Sequence, residues 1–177
     1  MSIIAAIFLF FSALKTNPSK FLPALGMTFG FGYLINILFS YTTGEFPEFS
    51  ISGLLKKVKV SSVCPVPCTL RGKIIGRGIP GLVFSEDFVM QDDTGIIFLD
   101  YRQPLGIWEF FFGLLQAKSY INEDVIVTGW YRRAPVPFVE LKTLRDSKGQ
   151  LMCCYVYPVK LTIAITLIIL GIIFVFL

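Results

Sequence analysis

Two uncharged runs constrain this chain more than anything else in it. Residues 21–41 form a run of 21 without a charge, and residues 161–177 a run of 17, mostly Ile and Leu. A helix needs roughly 20 apolar residues to cross the hydrocarbon layer of a membrane. Both runs are therefore read as spanning helices, the second extended somewhat by residues 156–159. Composition agrees: 54% of residues are hydrophobic, 16% are charged and mean hydropathy is +0.70, whereas a soluble domain is about a quarter charged. The expectation is an integral membrane protein whose polar part is confined between the two runs.

That polar part has its own period. Leu70-Arg71-Gly72-Lys73-Ile74 alternates apolar and basic residues, as a strand with one wet face does. Residues 88–91, the turn Asp92-Asp93-Thr94-Gly95 and residues 96–101 read as strand, tight turn and strand, with Asp and Gly at the positions that β-branched residues resist. Residues 124–131 and 138–144 add two more strands, the last preceded by Pro135 and Pro137. Five short strands, with an apolar helical stretch between the third and fourth, match the layout of a small OB-type barrel. The fold class expected is a membrane protein of α+β type: a five-stranded OB-like β-barrel module flanked by transmembrane helices. The division that follows is a membrane helical hairpin over 1–41 with a short first helix, a linker with a short helix over 42–65, the barrel module over 66–157 with an apolar helix at 105–117, and a C-terminal transmembrane helix over 158–177.

Within the first span, Gly26 and Gly30 make a small-xxx-small pair on which another helix can pack closely, and Asn36 is a polar side chain that a partner helix can hydrogen-bond. Ser50 stands where it can cap a short helix leading to Lys56, Lys57 and Lys59. These lysines lie close enough to a bilayer to meet anionic head groups, though a solvated charge cluster is the plainer reading. The 105–117 stretch, with Trp108 and Phe110 to Phe112, is too apolar for a wetted helix and too short to span, which suits the membrane interface or the barrel core. Lysines 56, 57, 59, 148 and 160 on the module side outnumber Lys15 and Lys20 in the short loop, so the charge rule puts the module on the cytoplasmic side of a cell membrane.

Little chemistry is visible. The absence of histidine removes His-based acid–base catalysis, Ser-His and Cys-His nucleophile pairs and imidazole metal sites. Gly76-Arg77-Gly78-Ile79-Pro80-Gly81 matches G-x-G-x-x-G, but a dinucleotide site needs a helix starting there, and Pro80 followed by a second strand argues instead for glycines that bend a strand. Cys64, Cys68, Cys153 and Cys154 are weak candidates for zinc; their spacing is not that of a zinc knuckle, and no metal or other cofactor is expected. The acid pairs Glu86-Asp87 and Asp92-Asp93 fall in turns, where Asp bonds its own backbone. Arg71, Lys73, Arg77, Arg132 and Arg133, with Trp130, place basic and aromatic residues on the barrel. Single-stranded nucleic acid or lipid phosphates are held in that way. A net charge of +4 disfavours nucleic acid, which calls for a concentrated basic surface.

Three stretches, residues 70–81, Gln91-Asp92-Asp93-Thr94-Gly95-Ile96 and Gly129-Trp130-Tyr131-Arg132-Arg133-Ala134-Pro135, resemble the extra C-terminal region of some HtpX-like membrane zinc metallopeptidases. There, a barrel-like region follows the peptidase domain and further membrane helices. The resemblance covers most of this chain but not the catalytic part, and the family's His-Glu-x-x-His motif has no counterpart in a chain without histidine. It implies a non-catalytic piece, cut from such a peptidase or separately encoded. The function expected is a membrane-anchored interaction or regulatory module, with membrane lipids and a membrane protein, or a second copy of the chain, as partners. The alternative is a lipid-headgroup or nucleic-acid binder using the basic barrel face.

Overall fold

The computed structural model describes residues 20–61, 63–78, 87–104 and 120–176. The elements in order are α1 (Phe21–Ser40), α2 (Ile51–Leu55), β1 (Val66–Arg77), β2 (Phe88–Asp92), β3 (Gly95–Asp100), β4 (Asp124–Arg132), β5 (Phe138–Asp146), β6 (Leu151–Cys153) and α3 (Val156–Phe176). The chain divides into two compact units: one takes the described residues up to Ile37 and from Lys160 onward, the other is Leu38–Val159. The expected short first helix of the hairpin and the apolar stretch at 105–117 lie outside the described residues.

Phe21–Ser40 and Val156–Val175, which make up the first unit except for their barrel-side ends, are long and apolar enough to cross a membrane, with hydropathies of 1.6 and 2.5. Their contacts run antiparallel. Lys20 Nζ donates to the Val175 carbonyl at 2.8 Å, Met27 lies against Gly171, and Gly30 lies against Ala164 and Ile168. A Cβ on Gly30 would sit 2.8 Å from Ile168 Cγ1, and one on Gly171 would sit 2.7 Å from Met27 Cβ. Small residues thus set the approach of the two backbones, which is the usual basis of helix contact where lipid removes the hydrophobic drive. Gly30 therefore packs within the chain rather than against a foreign helix. Gly26 faces open space, and Asn36 is exposed on α1.

The second unit is a closed barrel. β1, β2 and β3 form an antiparallel meander, β1 also pairs with β4, β4 with β5, and β3 runs parallel to β5 to close the circuit. All five expected strands are present, and β6 adds a short sixth along β5. The period-2 pattern delivers Leu70 and Ile74, Phe88 and Met90, Ile97 and Leu99, Val125 and Val127, Val139 and Leu141 to one buried core. β4 bulges at Thr128/Gly129. A Cβ on Gly129 would collide with the Glu140 carbonyl, so only glycine lets these two backbones approach. The strand bend expected from the glycine-rich stretch is also there: the β1–β2 register shifts between Ile74 and Gly76, and Gly78, at φ 70, returns its N–H to the Asp87 carbonyl at 2.8 Å.

Residues 42–65 are more than a linker. Ser50 caps α2, accepting from the Gly53 N–H at 3.2 Å, and Ile51 and Leu54, one turn apart, are buried in the barrel core. The β2–β3 turn holds the start of this helix. Asp92 accepts from the Ile51 N–H at 2.8 Å and Thr94 Oγ1 from the Ser52 N–H at 3.0 Å. The other Asp92 oxygen takes the Thr94 N–H, the Thr94 hydroxyl and the Gly95 N–H. Burial alone would raise the Asp92 carboxyl, but these donors outweigh it and hold it below the usual range.

Candidate functional site

The unusual part of the barrel is the end of β4. Strands that alternate buried and exposed residues elsewhere here give Gly129, Trp130, Tyr131 and Arg132 all buried. Tyr131 belongs to the core, so by alternation Trp130 and Arg132 point outward. They are covered by the chain as it leaves α1. Trp130 Nε1 donates to the Thr42 carbonyl at 3.1 Å, and its ring meets Tyr41 edge-on at 4.9 Å, Phe46 at 5.7 Å and Tyr157 at 5.8 Å.

On β5, Glu140 lies opposite Trp130 in register and diagonal to Arg132. Arg132 Nε donates to Glu140 Oε2 at 2.6 Å, and the Tyr41 hydroxyl donates to Oε1 at 2.7 Å. A second guanidinium nitrogen, Nη2, donates to the Ser40 carbonyl at 2.9 Å. Ser40 is the last residue of α1, and a helix leaves its final carbonyls without partners. A cation at that end also opposes the negative pole of the helix. One arginine thus joins β5 to the end of the helix. Its guanidinium carbon stands 5.2 Å from the centre of the Tyr41 ring. Burial, then the bond to Glu140 and that residue's negative charge, push the Tyr41 phenol above its ordinary value, so it remains a hydrogen-bond donor near neutrality.

The residues proposed for a basic face separate. Arg132 and Trp130 are buried in this junction and cannot present themselves to phosphate. Arg71 is exposed and pairs with Glu48 at 2.7 Å. Lys73 is exposed, Arg77 is half-buried, and Arg133 is exposed with Nη1 3.4 Å from the Lys57 carbonyl. An open groove of about 840 Å³ on the outer wall brings together Arg71, Lys73 and Arg145, but with Asp92, Asp93, Asp124 and Asp146. Three cations among four acids leave that groove without a concentrated positive charge, and Arg132 and Trp130 are withdrawn from the face on which they were expected.

The four cysteines are free: Cys64 is exposed, Cys153 half-buried, Cys68 and Cys154 buried. Among the described residues no three of Cys, Asp and Glu gather as a metal site. Burial pushes the Cys68 and Cys154 thiols up to about 12, where neither is a thiolate at neutral pH.

Tyr41 and Glu140 were not singled out from the sequence. Tyr41 reads as the last residue of a span and Glu140 as one polar residue in a strand; only the β4–β5 register reveals that Glu140 meets Arg132. Known family models give no match to this chain. No curated protein matches it either, so the resemblance to HtpX-like tails rests on the three stretches that suggested it.

Proposed function

We propose that the chain is an integral membrane, non-catalytic interaction module: an OB-like barrel held at a bilayer by α1 and α3. The OB-type reading is supported by strand order, since the meander β1–β2–β3 closed by an antiparallel β1–β4 and a parallel β3–β5 pair is a five-stranded Greek-key barrel. The single observation that carries the functional reading is the Arg132–Glu140–Tyr41 junction. Buried ion pairs add little net stability over apolar packing, and their attested use is to fix one arrangement among several. Here the pair ties residues 40 and 41 to β4 and β5 within the barrel unit, as suits a module whose surface is presented in a defined way. The partner is a membrane protein met through the barrel surface; a membrane metallopeptidase is the class that the sequence resemblance suggests. The module faces the cytoplasm in this reading.

Cross-linking of the tagged full chain in its native membranes, followed by mass analysis of the adducts, tests this. A discrete larger adduct, lost on Arg132→Ala while the chain still resists carbonate extraction, is the expected outcome. A chain that stays in the membrane but yields only its own uncross-linked band overturns the interaction reading.

A further inference from the structure

Val58, 81% exposed, is the most exposed large apolar residue among those described. It lies in the loop after α2, with Leu55 exposed before it and Lys56 and Lys59 exposed on either side. Lys57 differs: its ammonium sits over the Phe49 ring at 4.3 Å, turned back onto the protein. The loop thus shows an apolar tip between two outward lysines. A third cation stands beside it, since Arg133 Nη1 approaches the Lys57 carbonyl.

That contact locates the loop. Arg132 holds the Ser40 carbonyl at the end of α1, and the next residue, Arg133, meets the loop backbone. Successive Cα atoms are about 3.8 Å apart, so the loop backbone and the Ser40 carbonyl are both held by side chains from the same end of β4. Charge is one-sided along this part of the sequence. From Phe49 to Ser85 the sequence has no Asp or Glu. Of the two acids just before that stretch, Glu48 is taken by Arg71 and Glu45 is exposed.

We propose that Leu55, Lys56, Val58, Lys59 and Arg133 form a membrane-surface foot that docks on anionic lipid head groups, Val58 entering the interface and the cations meeting phosphates. Apolar residues flanked by cations bind such surfaces by combining burial with attraction to the negative leaflet. The foot rests on the reading of α1 and α3 as membrane anchors. It shares only Arg133 with the residues read as a basic barrel face, of which Arg71 is paired with Glu48 and Arg132 is buried. Docking of this loop adds a membrane contact to those of the two helices.

The test uses the full chain carrying Val58→Trp, reconstituted in vesicles containing brominated lipid. Fluorescence quenching is taken as the difference from the unsubstituted chain. Flotation with the vesicles after carbonate washing reports on the anchors alone, so a failure of the membrane reading is seen separately. Each lysine at an anionic surface is worth about five-fold in the docked-to-free ratio. The foot therefore predicts strong quenching in phosphatidylglycerol-containing vesicles, little in pure phosphatidylcholine, and a fall towards the neutral-lipid level with Lys56→Gln and Lys59→Gln together or at high salt. Quenching of equal depth in both lipids, or none in either for a chain that floats, overturns it.

Discussion

The barrel carries two arginine–glutamate pairs of nearly equal length in very different surroundings. Arg71 meets Glu48 at 2.7 Å with side chains 64% and 56% exposed, while Arg132 meets Glu140 at 2.6 Å with side chains 8% and 9% exposed. The chemistry is the same and the two arginines have similar local settings, each on a strand directly after a buried residue, Leu70 or Tyr131. What differs is what lies over them. The first projects from β1 into solvent; the second is covered by Tyr41 and by the chain descending from α1. An exposed pair is screened and gives back much of its attraction as side-chain entropy. A buried pair has already lost its water, so each partner depends on the other.

Removing one member of the buried pair is the sharpest way to test that difference. Arg132→Ala leaves the Glu140 carboxylate buried with the Tyr41 hydroxyl as its side-chain hydrogen-bond partner among the described residues, and should destabilise the barrel by about 3–5 kcal/mol, read from denaturant unfolding in detergent by intrinsic fluorescence. Replacing both partners, Arg132→Met with Glu140→Leu, should recover most of that loss. If the double variant is no better than the single one, the ion pair is not what the site depends on and the contrast between the two pairs fails.

Tyr41→Phe is the next step down. It keeps the ring against Trp130 but withdraws the donor to Glu140, an expected loss of about 1–3 kcal/mol. The pH dependence adds a signature. The folded phenol titrates above its unfolded value, so the stability it gives is fully present below about pH 10 and is lost as pH rises towards the folded value. The gap between the native chain and Tyr41→Phe should narrow above about pH 10. A gap that stays constant across that range would mean that the hydroxyl is not bonded as described.

Much of the barrel is legible in the sequence, and the reason is local. Alternation in residues 70–74 and 124–131, and turn chemistry at Asp92 to Gly95, are properties of neighbours in sequence. The junction was hidden because it is a property of register. Arg132 reads as a surface cation until β4 is aligned on β5 and residues 40–46 are laid over both, which puts Glu140 on its diagonal. Gly30 shows the same limit: its small-residue spacing marks a close helix contact, but not that the contact is with Ala164 and Ile168 of the same chain. α2 was underrated for a different reason. Five residues are too few for a helical period to declare itself, and burial of Ile51 and Leu54 follows from docking on Asp92 and Thr94.

That docking gives a smaller, acid-side test. The Asp92 carboxyl titrates below its unfolded value, so its contribution is present above about pH 4 and disappears as pH falls through the folded value. Asp92→Asn should lower stability at neutral pH and make the acid limb of the stability curve shallower. Glu123, held low by the Ser147 hydroxyl and by Lys148, titrates in the same direction and should keep a residual slope in the variant. An unchanged acid limb would mean that the carboxylate does not hold α2.

The smallest effect belongs to the exposed pair, and it is the control on which the comparison depends. Glu48→Ala removes the partner of Arg71 where water can replace it, so the loss should stay within about 0–1 kcal/mol and shrink further as salt is raised. Part of even that loss need not be electrostatic, because the backbone at Glu48 bridges Thr69 and the next N–H, that of Phe49, donates to the Thr69 carbonyl at 3.0 Å. Glu48→Gln separates the two contributions: it keeps the side-chain length and the backbone contacts and removes only the charge. If Glu48→Gln were as damaging as Arg132→Ala, exposure would not be what distinguishes the pairs, and the barrel wall facing the groove would have to be regarded as structurally coupled to the core.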